Sequence, residues 1–251
     1  MADGPGRHVI PLGWHRRRLA VCASTENELE RWLRQQPLPP RRLVVARRQR
    51  CGHGQQGRVW QSPAGGLWLS AAFPWPRELA GRAALPLALA LGLALELEAL
   101  AVPVAIKWPN DLLVHGRKLA GLLPRLRLRG NQVRWAQVGL GINGINRVPA
   151  GAIALAEALQ QRPRRDRSHG HFDPRATPRR LEPLALRAIE RAMGMAPEPE
   201  LVRLAVERRL WRPAEGLERR GQRWRITGLE VDGGLQVQGP GGCCAVWRRD
   251  F

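Results

Sequence analysis

From Ala83 to Leu95 the chain carries no charged residue, and leucine recurs at 85, 87, 89, 91, 93 and 95. Spacing of two is a strand pattern, but the run is long and nearly all Leu and Ala. Length and propensity favour a helix over residues 83–100, buried on most sides. The run is too short to span a bilayer and ends at Glu96 and Glu98, so no membrane association is expected. A chain of 251 residues with 44% hydrophobic and 25% charged residues holds enough apolar material for one ordinary domain and a small second one. The basic stretch near the N-terminus (Arg7, Arg16 to Arg18) is not followed by the apolar segment of a secretory signal. Cys22, Cys51, Cys243 and Cys244 fit no metal-ligand spacing, and reduced thiols in a cytoplasmic protein are expected.

The formal charge of +20 suggests nucleic acid as a partner. Its distribution argues otherwise: of 41 basic residues all but Lys107 and Lys118 are Arg, scattered along the whole length. No basic stripe interleaved with aromatic residues, of the kind that stacks bases, is present. Blanket Arg usage reads as coding bias. The two lysines lie in one segment, which points to chemistry that a guanidinium cannot perform.

Along the chain, His15 to Ala23 reads as a strand, and Thr25 and Glu28 stand at capping-box spacing for a helix ending near Gln36. Leu43 to Ala46 reads as a strand, residues 49–60 as a glycine-rich polar loop, and Gly65 to Phe73 as a strand. Further strands are predicted at 104–107, 111–114, 118–129 and 132–143, and helices at 150–160, 181–193 and 198–211. Arg162 to Arg180, rich in Arg, Pro, His and Asp, reads as a solvated loop. After Pro213 the texture becomes short strands and glycine turns, at 224–231, 235–238 and 243–247. This divides the chain into residues 1–212 and a small tail, 213–251.

The most informative segment is Lys107-Trp108-Pro109-Asn110-Asp111-Leu112-Leu113-Val114-His115-Gly116-Arg117-Lys118-Leu119-Ala120-Gly121. Pro109 interrupts the strand, and His115-Gly116 is a plausible two-residue hairpin turn. Val114 would then pair with Arg117, Leu113 with Lys118 and Asp111 with Ala120, so that Asp111 and Lys118 share one face. Gly121 would end the ladder where a missing side chain lets a ligand reach the backbone. An ordinary surface salt bridge, worth less than about 1 kcal/mol, would explain the Asp111–Lys118 pair alone. It does not explain the second lysine or Trp108-Pro109-Asn110.

This segment resembles the signature of biotin protein ligases, in which Lys-Trp-Pro-Asn-Asp leads into a Lys-Leu-Ala-Gly strand. The resemblance extends to Ser24-Thr25, to Gln49–Trp60 followed by Ser62-Pro63, and to Gly139-Leu140-Gly141-Ile142-Asn143. It implies an α+β fold: a mixed β-sheet flanked by helices, of the class II synthetase-like biotin/lipoate ligase type, with a small C-terminal SH3-like β-barrel. It also implies a ligase using ATP and Mg2+ to convert biotin to biotinyl-5′-AMP. The biotin then passes to a lysine of a biotin carrier protein, such as that of acetyl-CoA carboxylase. Carried over residue by residue, the biotin pocket comprises Ser24, Thr25, Glu26, Gln49, Gly52, His53, Gly54, Gln55, Lys118 and Gly121. Arg58, Trp60, Lys107, Asn110 and Asn143 fall on the nucleotide side, with Arg248 or Arg249 as candidates for the triphosphate.

Lys118 would bridge carboxylate and phosphate, with Asp111 and Lys107 completing the catalytic set. Asp111 would orient the incoming amine, accept its proton, or hold Mg2+; the sequence leaves these open. Ser24 and Thr25 can equally be plain helix caps. The loop departs from the family's Gly-Arg-Gly-Arg-Arg-Gly-Arg, reading Gly52-His53-Gly54-Gln55-Gln56-Gly57-Arg58, and Glu26 stands where Asn is common unless Asn27 takes that role. Only about 23 residues precede Ser24, too few for the DNA-binding domain of some relatives, so no specific DNA target is expected and a monomer or homodimer is. Competing readings are a lipoate or octanoate ligase, a basic nucleic-acid-binding protein on this scaffold, and a decayed ligase.

Overall fold

The computed structural model describes residues 13–35, 41–76, 84–160 and 173–248. Residues 161–172 of the basic segment, Gln36 at the expected end of the first helix, and Arg249 lie outside these.

The main body is a mixed sheet of eight strands. Seven run in the order β1 (His15–Cys22), β2 (Arg42–His53), β4 (Leu67–Phe73), β8 (Gln132–Ile142), β7 (Arg117–Arg129), β6 (Asp111–Val114) and β5 (Ala105–Lys107). β3 (Val59–Ser62) pairs with the outer part of β2. Only β1 and β2 are parallel, joined by helix α1 (Thr25–Gln35); every other pairing is antiparallel.

Two apolar layers cover the sheet. On one face lies helix α2 (Ala84–Glu98), packed with α4 (Pro178–Met195) and α5 (Pro199–Glu207). The period-two leucines do not make a strand: successive pairs step about 200° around a helix, so Leu85 to Leu93 fall on two opposite sides, with Ala88, Ala90 and Ala94 between them. That is why α2 is buried all round. At Gly92 the backbones of α2 and α4 come close enough that a β-carbon would sit 2.4 Å from the Ala188 carbonyl oxygen. On the opposite face α1 packs Leu29, Trp32 and Leu33 against Val44, Ala72 and Trp135. Alternation does the sorting. Leu67, Leu69, Ala71 and Phe73 of β4 enter the larger core, whereas Ser70 and Ala72 turn to the α1 side.

Several expectations need correction. Residues 49–60 are not an open loop. β2 continues to His53 and folds back through the 3₁₀ turn Gln55–Gly57 into β3, because Gly52↔Trp60 and His53↔Val59 pairing satisfies the backbone of this polar stretch. Helix α3 covers only Leu155–Gln160, since Ala152 and Ile153 pair with Lys118 as an extra extended segment. α4 begins at Pro178, inside the segment read as loop, where proline fits a first helical position. α5 stops at Glu207 because residues 209–211 bond across to Ile106 of β5.

The C-terminal part is a four-stranded antiparallel sheet in the order β12 (Cys244–Trp247), β11 (Leu235–Gln238), β10 (Gln222–Leu229), β9 (Leu217–Arg219). β9 was not foreseen; its turn, Arg220-Gly221, has positive φ at both residues. Among the described residues no helix is long and apolar enough to cross a membrane.

Candidate active site

A cleft of about 370 Å³ opens on the α1 face of the sheet, over the middle of β4, β8 and β7. Its position follows from sequence alternation. Val138, Leu140 and Ile142 of β8 point into the main core, which leaves Gly139 and Gly141 facing the cleft; Ala120 and Leu122 of β7 likewise leave Gly121 and Leu123 there. The Trp60 ring lies across two of these glycines. A β-carbon at Gly141 would approach it to 2.7 Å, and one at Gly121 to 3.0 Å.

Over this floor stands the lysine pair's second member. Lys118 Nζ is 2.7 Å from Asp111 Oδ1 and 4.7 Å from the centre of the Trp60 ring. The turn His115-Gly116 and the pairs Val114↔Arg117 and Leu113↔Lys118 are as expected, but Asp111 pairs with Gly121, not Ala120. A bulge between Leu112 and Leu113 shifts the register by one residue. Asp111 and Lys118 still meet, because the lysine side chain bends back over Gly121, whose β-carbon would lie 3.2 Å from Lys118 Cε. Gly121 thus makes room for Lys118 and Trp60 while still lining the cleft.

The backbone of Lys118 is held on both sides. Its N–H donates to the Gly151 carbonyl at 2.9 Å and its carbonyl accepts from Ile153 N–H at 3.0 Å and Asn143 Nδ2 at 3.3 Å. Asn143 thus acts as a brace in this arrangement. Asn110, in the β5–β6 reversal, donates to the Leu122 carbonyl of β7. Lys107, on the same reversal, reaches over Trp211 at 5.1 Å from its ring centre. Trp108 lines the cleft and donates from Nε1 to the Gly233 carbonyl at 2.8 Å, linking it to the C-terminal sheet.

At the α1 side of the cleft the polar groups form one chain. Gln49 Oε1 accepts from Thr25 N–H at 2.7 Å and from Thr25 Oγ1 at 2.9 Å, and Gln49 Nε2 donates to Ser62 Oγ at 2.8 Å. Ser62 Oγ donates in turn to the Trp60 carbonyl at 3.2 Å. A hydroxyl has one proton, so the 2.8 Å contact between Thr25 and Ser70 makes Ser70 the donor. The expected Thr25–Glu28 capping box does not form, because Thr25's hydroxyl serves this chain; Ser24 Oγ caps instead, accepting from Glu26 N–H at 3.2 Å.

Glu26 is buried against Gly139, and its Oε1 has no hydrogen-bond partner. Burial pushes its carboxyl above the usual range; Arg125, whose Nε is 3.5 Å away, pulls the other way, and Glu30 adds to the rise.

His53, Gly54, Gln55 and Arg58 line the cleft from the β2–β3 hairpin. Gly52 does not line it; a β-carbon there would strike the Trp60 carbonyl and Ser62 Oγ, so its glycine keeps the hairpin closed. Arg248 pairs with Asp232 at 2.7 Å beside a neighbouring groove. The sequence reading missed Ser70, Leu123, Gly139 and Gly141 as lining residues. A serine inside the otherwise apolar Leu67–Phe73 run was the available signal for Ser70. Among the described residues no three His, Cys, Asp or Glu side chains cluster as a metal site.

Residues 19–143 match the Biotin/lipoate A/B protein ligase family. These residues are a domain of that family. The family domain contains Ser24 to Asn143, hence every residue that lines the cleft except Pro149 and Ala152. Curated relatives include the bifunctional ligase/repressor BirA of Bacillus subtilis, 34% identical over 146 residues, covering 57% of this chain and 42% of that protein. The biotin–[acetyl-CoA-carboxylase] ligase of Paracoccus denitrificans is 35% identical over 122 residues, covering 44% of this chain and 47% of that protein. The chain thus spans less than half the length of these relatives. Among solved structures, a biotin protein ligase from Aquifex aeolicus in complex with biotin and ATP matches with a TM-score of 0.66 at 24% identity, covering 93% of this chain and 99% of that one. A Helicobacter pylori biotin acetyl coenzyme A carboxylase synthetase with bound biotinylated ATP matches with a TM-score of 0.60 at 20% identity, covering 93% of this chain and all of the other (100%). These likenesses establish the fold.

Proposed function

We propose that the chain is a biotin protein ligase acting in the cytoplasm, joining biotin to ATP and then to a lysine of a carboxylase's biotin carrier protein. The observation that carries this reading is the ammonium group of Lys118, 2.7 Å from Asp111 above the indole of Trp60, inside a cleft with a polar chain at one side. In the first step a biotin carboxylate oxygen attacks the α-phosphorus of ATP; the mixed anhydride forms and pyrophosphate leaves. In the second, a carrier lysine amine attacks the acyl carbon, AMP leaves with the bonding pair, and the amine proton is lost.

Two anions must approach in the first step, and a cation fixed between them lowers that cost. At about 4 Å and an effective dielectric near 20, one such charge is worth on the order of 4 kcal/mol. Lys118 fits this task because its backbone is held on both sides. Asp111 keeps its ammonium in place before the anions arrive, and Lys107, Asn110 and Arg58 line the part left for the nucleotide. The acids lining the cleft are Glu26 and Asp111, and Asp111 is already paired. That set suits Mg2+ carried on the nucleotide's phosphates with Asp111 as the protein carboxylate, not a resident metal.

The Thr25–Gln49–Ser62–Ser70 chain favours biotin over lipoate, since a cyclic urea demands hydrogen bonds that a dithiolane does not. We also read the C-terminal sheet as the small SH3-like barrel of such ligases, with residues 1–212 forming the catalytic part and 213–251 the appendage.

Mixing the chain with biotin, Mg-ATP and a carrier domain is expected to label the carrier lysine. Lys118→Ala should slow biotinyl-AMP formation by about a thousandfold, as the loss of a charge worth about 4 kcal/mol implies. Activity with lipoate in preference to biotin, or full activity of Lys118→Ala, contradicts the proposal.

A further inference from the structure

Next to Lys118 in sequence stands Arg117, which does not line the cleft. Neighbours on a strand point to opposite faces, so with Lys118 in the cleft Arg117 turns to the other side. There its guanidinium makes four hydrogen bonds. Nε and Nη2 donate to the Ala152 carbonyl at 3.0 and 2.7 Å, and Nη1 and Nη2 donate to the two carboxylate oxygens of Glu157, in the first turn of α3. An ion pair at a surface contributes little by itself and needs no third partner. The third partner here is placed with consequence. On one side of Ala152, the Gly151 carbonyl accepts from Lys118 N–H at 2.9 Å; on the other, Ile153 N–H donates to the Lys118 carbonyl at 3.0 Å. Arg117 thus holds the middle residue of three whose outer two grip the backbone of Lys118.

The stretch that Arg117 holds is unevenly anchored. After Ala152, Ile153 and Leu155 are buried in the main core, and Leu155 N–H donates to the Asn143 carbonyl at 2.9 Å. Before it, Ala150 and Gly151 are exposed, and Lys118 meets Ala152 in a single isolated bridge, not in a ladder. We propose that Arg117 is a positioning residue for Lys118. By fixing the Ala152 carbonyl against the first turn of α3, its guanidinium keeps residues 151–153 seated on the Lys118 backbone, and so keeps the ammonium at one place in the cleft. This rests on the reading of Lys118 as the cation between carboxylate and phosphate. The task suits a planar fork, which reaches a carbonyl and a carboxylate at once; an ammonium offers its charge at one point. Since the two anions come together only as the reaction proceeds, a displaced ammonium slows the chemical step more than it weakens binding.

The test is formation of biotinyl-AMP from biotin and Mg-ATP, followed as pyrophosphate release. The chains compared are the wild type, Arg117→Gln, Arg117→Lys, Lys118→Ala and the double variant Arg117→Gln/Lys118→Ala. Arg117→Gln is expected to lower kcat about tenfold while the KM values for biotin and ATP stay within about twofold. Arg117→Lys, which keeps the charge and loses the fork, should fall with Arg117→Gln and not with the wild type. On the Lys118→Ala background, Arg117→Gln should cost less than about twofold more, because no ammonium remains to be positioned. Thermal melting of each variant verifies folding; if Arg117→Gln does not fold, Glu157→Gln, which breaks the ionic half of the fork, enters the same comparison. An equal loss on both lysine backgrounds, a loss confined to KM, or the wild-type rate in either folded Arg117 variant overturns the role of Arg117 alone. Full activity of Lys118→Ala, or no pyrophosphate release with biotin by the wild type, overturns the reading of the cleft, and this role with it.

Discussion

At the scale of single residues, the cleft depends on which hydrogen-bonding groups are already used. Glu26 is the exception that costs stability. Its carboxyl is raised above 4.5 by burial, so the folded chain holds its proton more tightly than the unfolded chain does. The resulting stabilisation is fully present below the unfolded value and is lost as pH rises through the folded one. The melting temperature of ligand-free wild type should therefore drop relative to Glu26→Gln as pH is raised from about 4.5 to 8. Thermal scans at several pH values check this, and a gap that stays constant contradicts it. Which residues line the cleft was largely legible in the sequence, because Lys107–Gly121 and Gln49–Arg58 are marked by their unusual residue types. What those residues touch was not. Gly121 was read as leaving space for a ligand; it lines the cleft, but the contacts of Lys118 and Trp60 over it could not be read, since the bulge after Leu112 has no signature in residue type.

Among elements, the central helix and the order of strands were the readable part, and the joints between them the unreadable part. A helix can be inferred from Leu and Ala alone, but where it ends depends on partners distant in sequence. α5 stops because residues 209–211 bond to Ile106, and α3 starts late because Ile153 bonds to Lys118. The crossing of α2 and α4 gives a direct test of packing. Gly92→Ala would place a β-carbon 2.4 Å from the Ala188 carbonyl oxygen and should destabilise the chain by about 1–3 kcal/mol in urea unfolding. Gly194→Ala near the end of α4 meets nothing within 4 Å, and should stabilise it by about 0.5–1 kcal/mol through helix propensity. Equal effects of the two would show that close approach of the backbones is not what holds position 92 as glycine. The arginines also act at this scale. Glu96, buried in α2, is held by Arg187 and Arg191 of α4 at 2.7 and 3.0 Å, and Glu98 by Arg209 at 2.7 and 2.8 Å. Arginine thus joins helices here, which a reading of net charge alone does not reveal.

For the molecule as a whole, Cys22 reports on global opening. Its thiol is buried, and burial, aided by Glu28, raises it to about 11, whereas Cys51, Cys243 and Cys244 are exposed. Alkylation of the native chain at pH 8 should modify those three and spare Cys22 until the chain is unfolded, as peptide mass mapping would record. Prompt labelling of Cys22 would mean that β1 and α1 separate readily.

The C-terminal sheet is fastened to the segment that carries the first lysine through Trp108 to Gly233, while the stretch that leads into the sheet, residues 209–211, bonds to Ile106 of the same segment. These fastenings make the tail a splint for the reversal from which Lys107 and Asp111 project. Severing it would release Trp108 at the middle of that reversal, so damage far along the chain would be felt first as slackness in the cleft that the two lysines line.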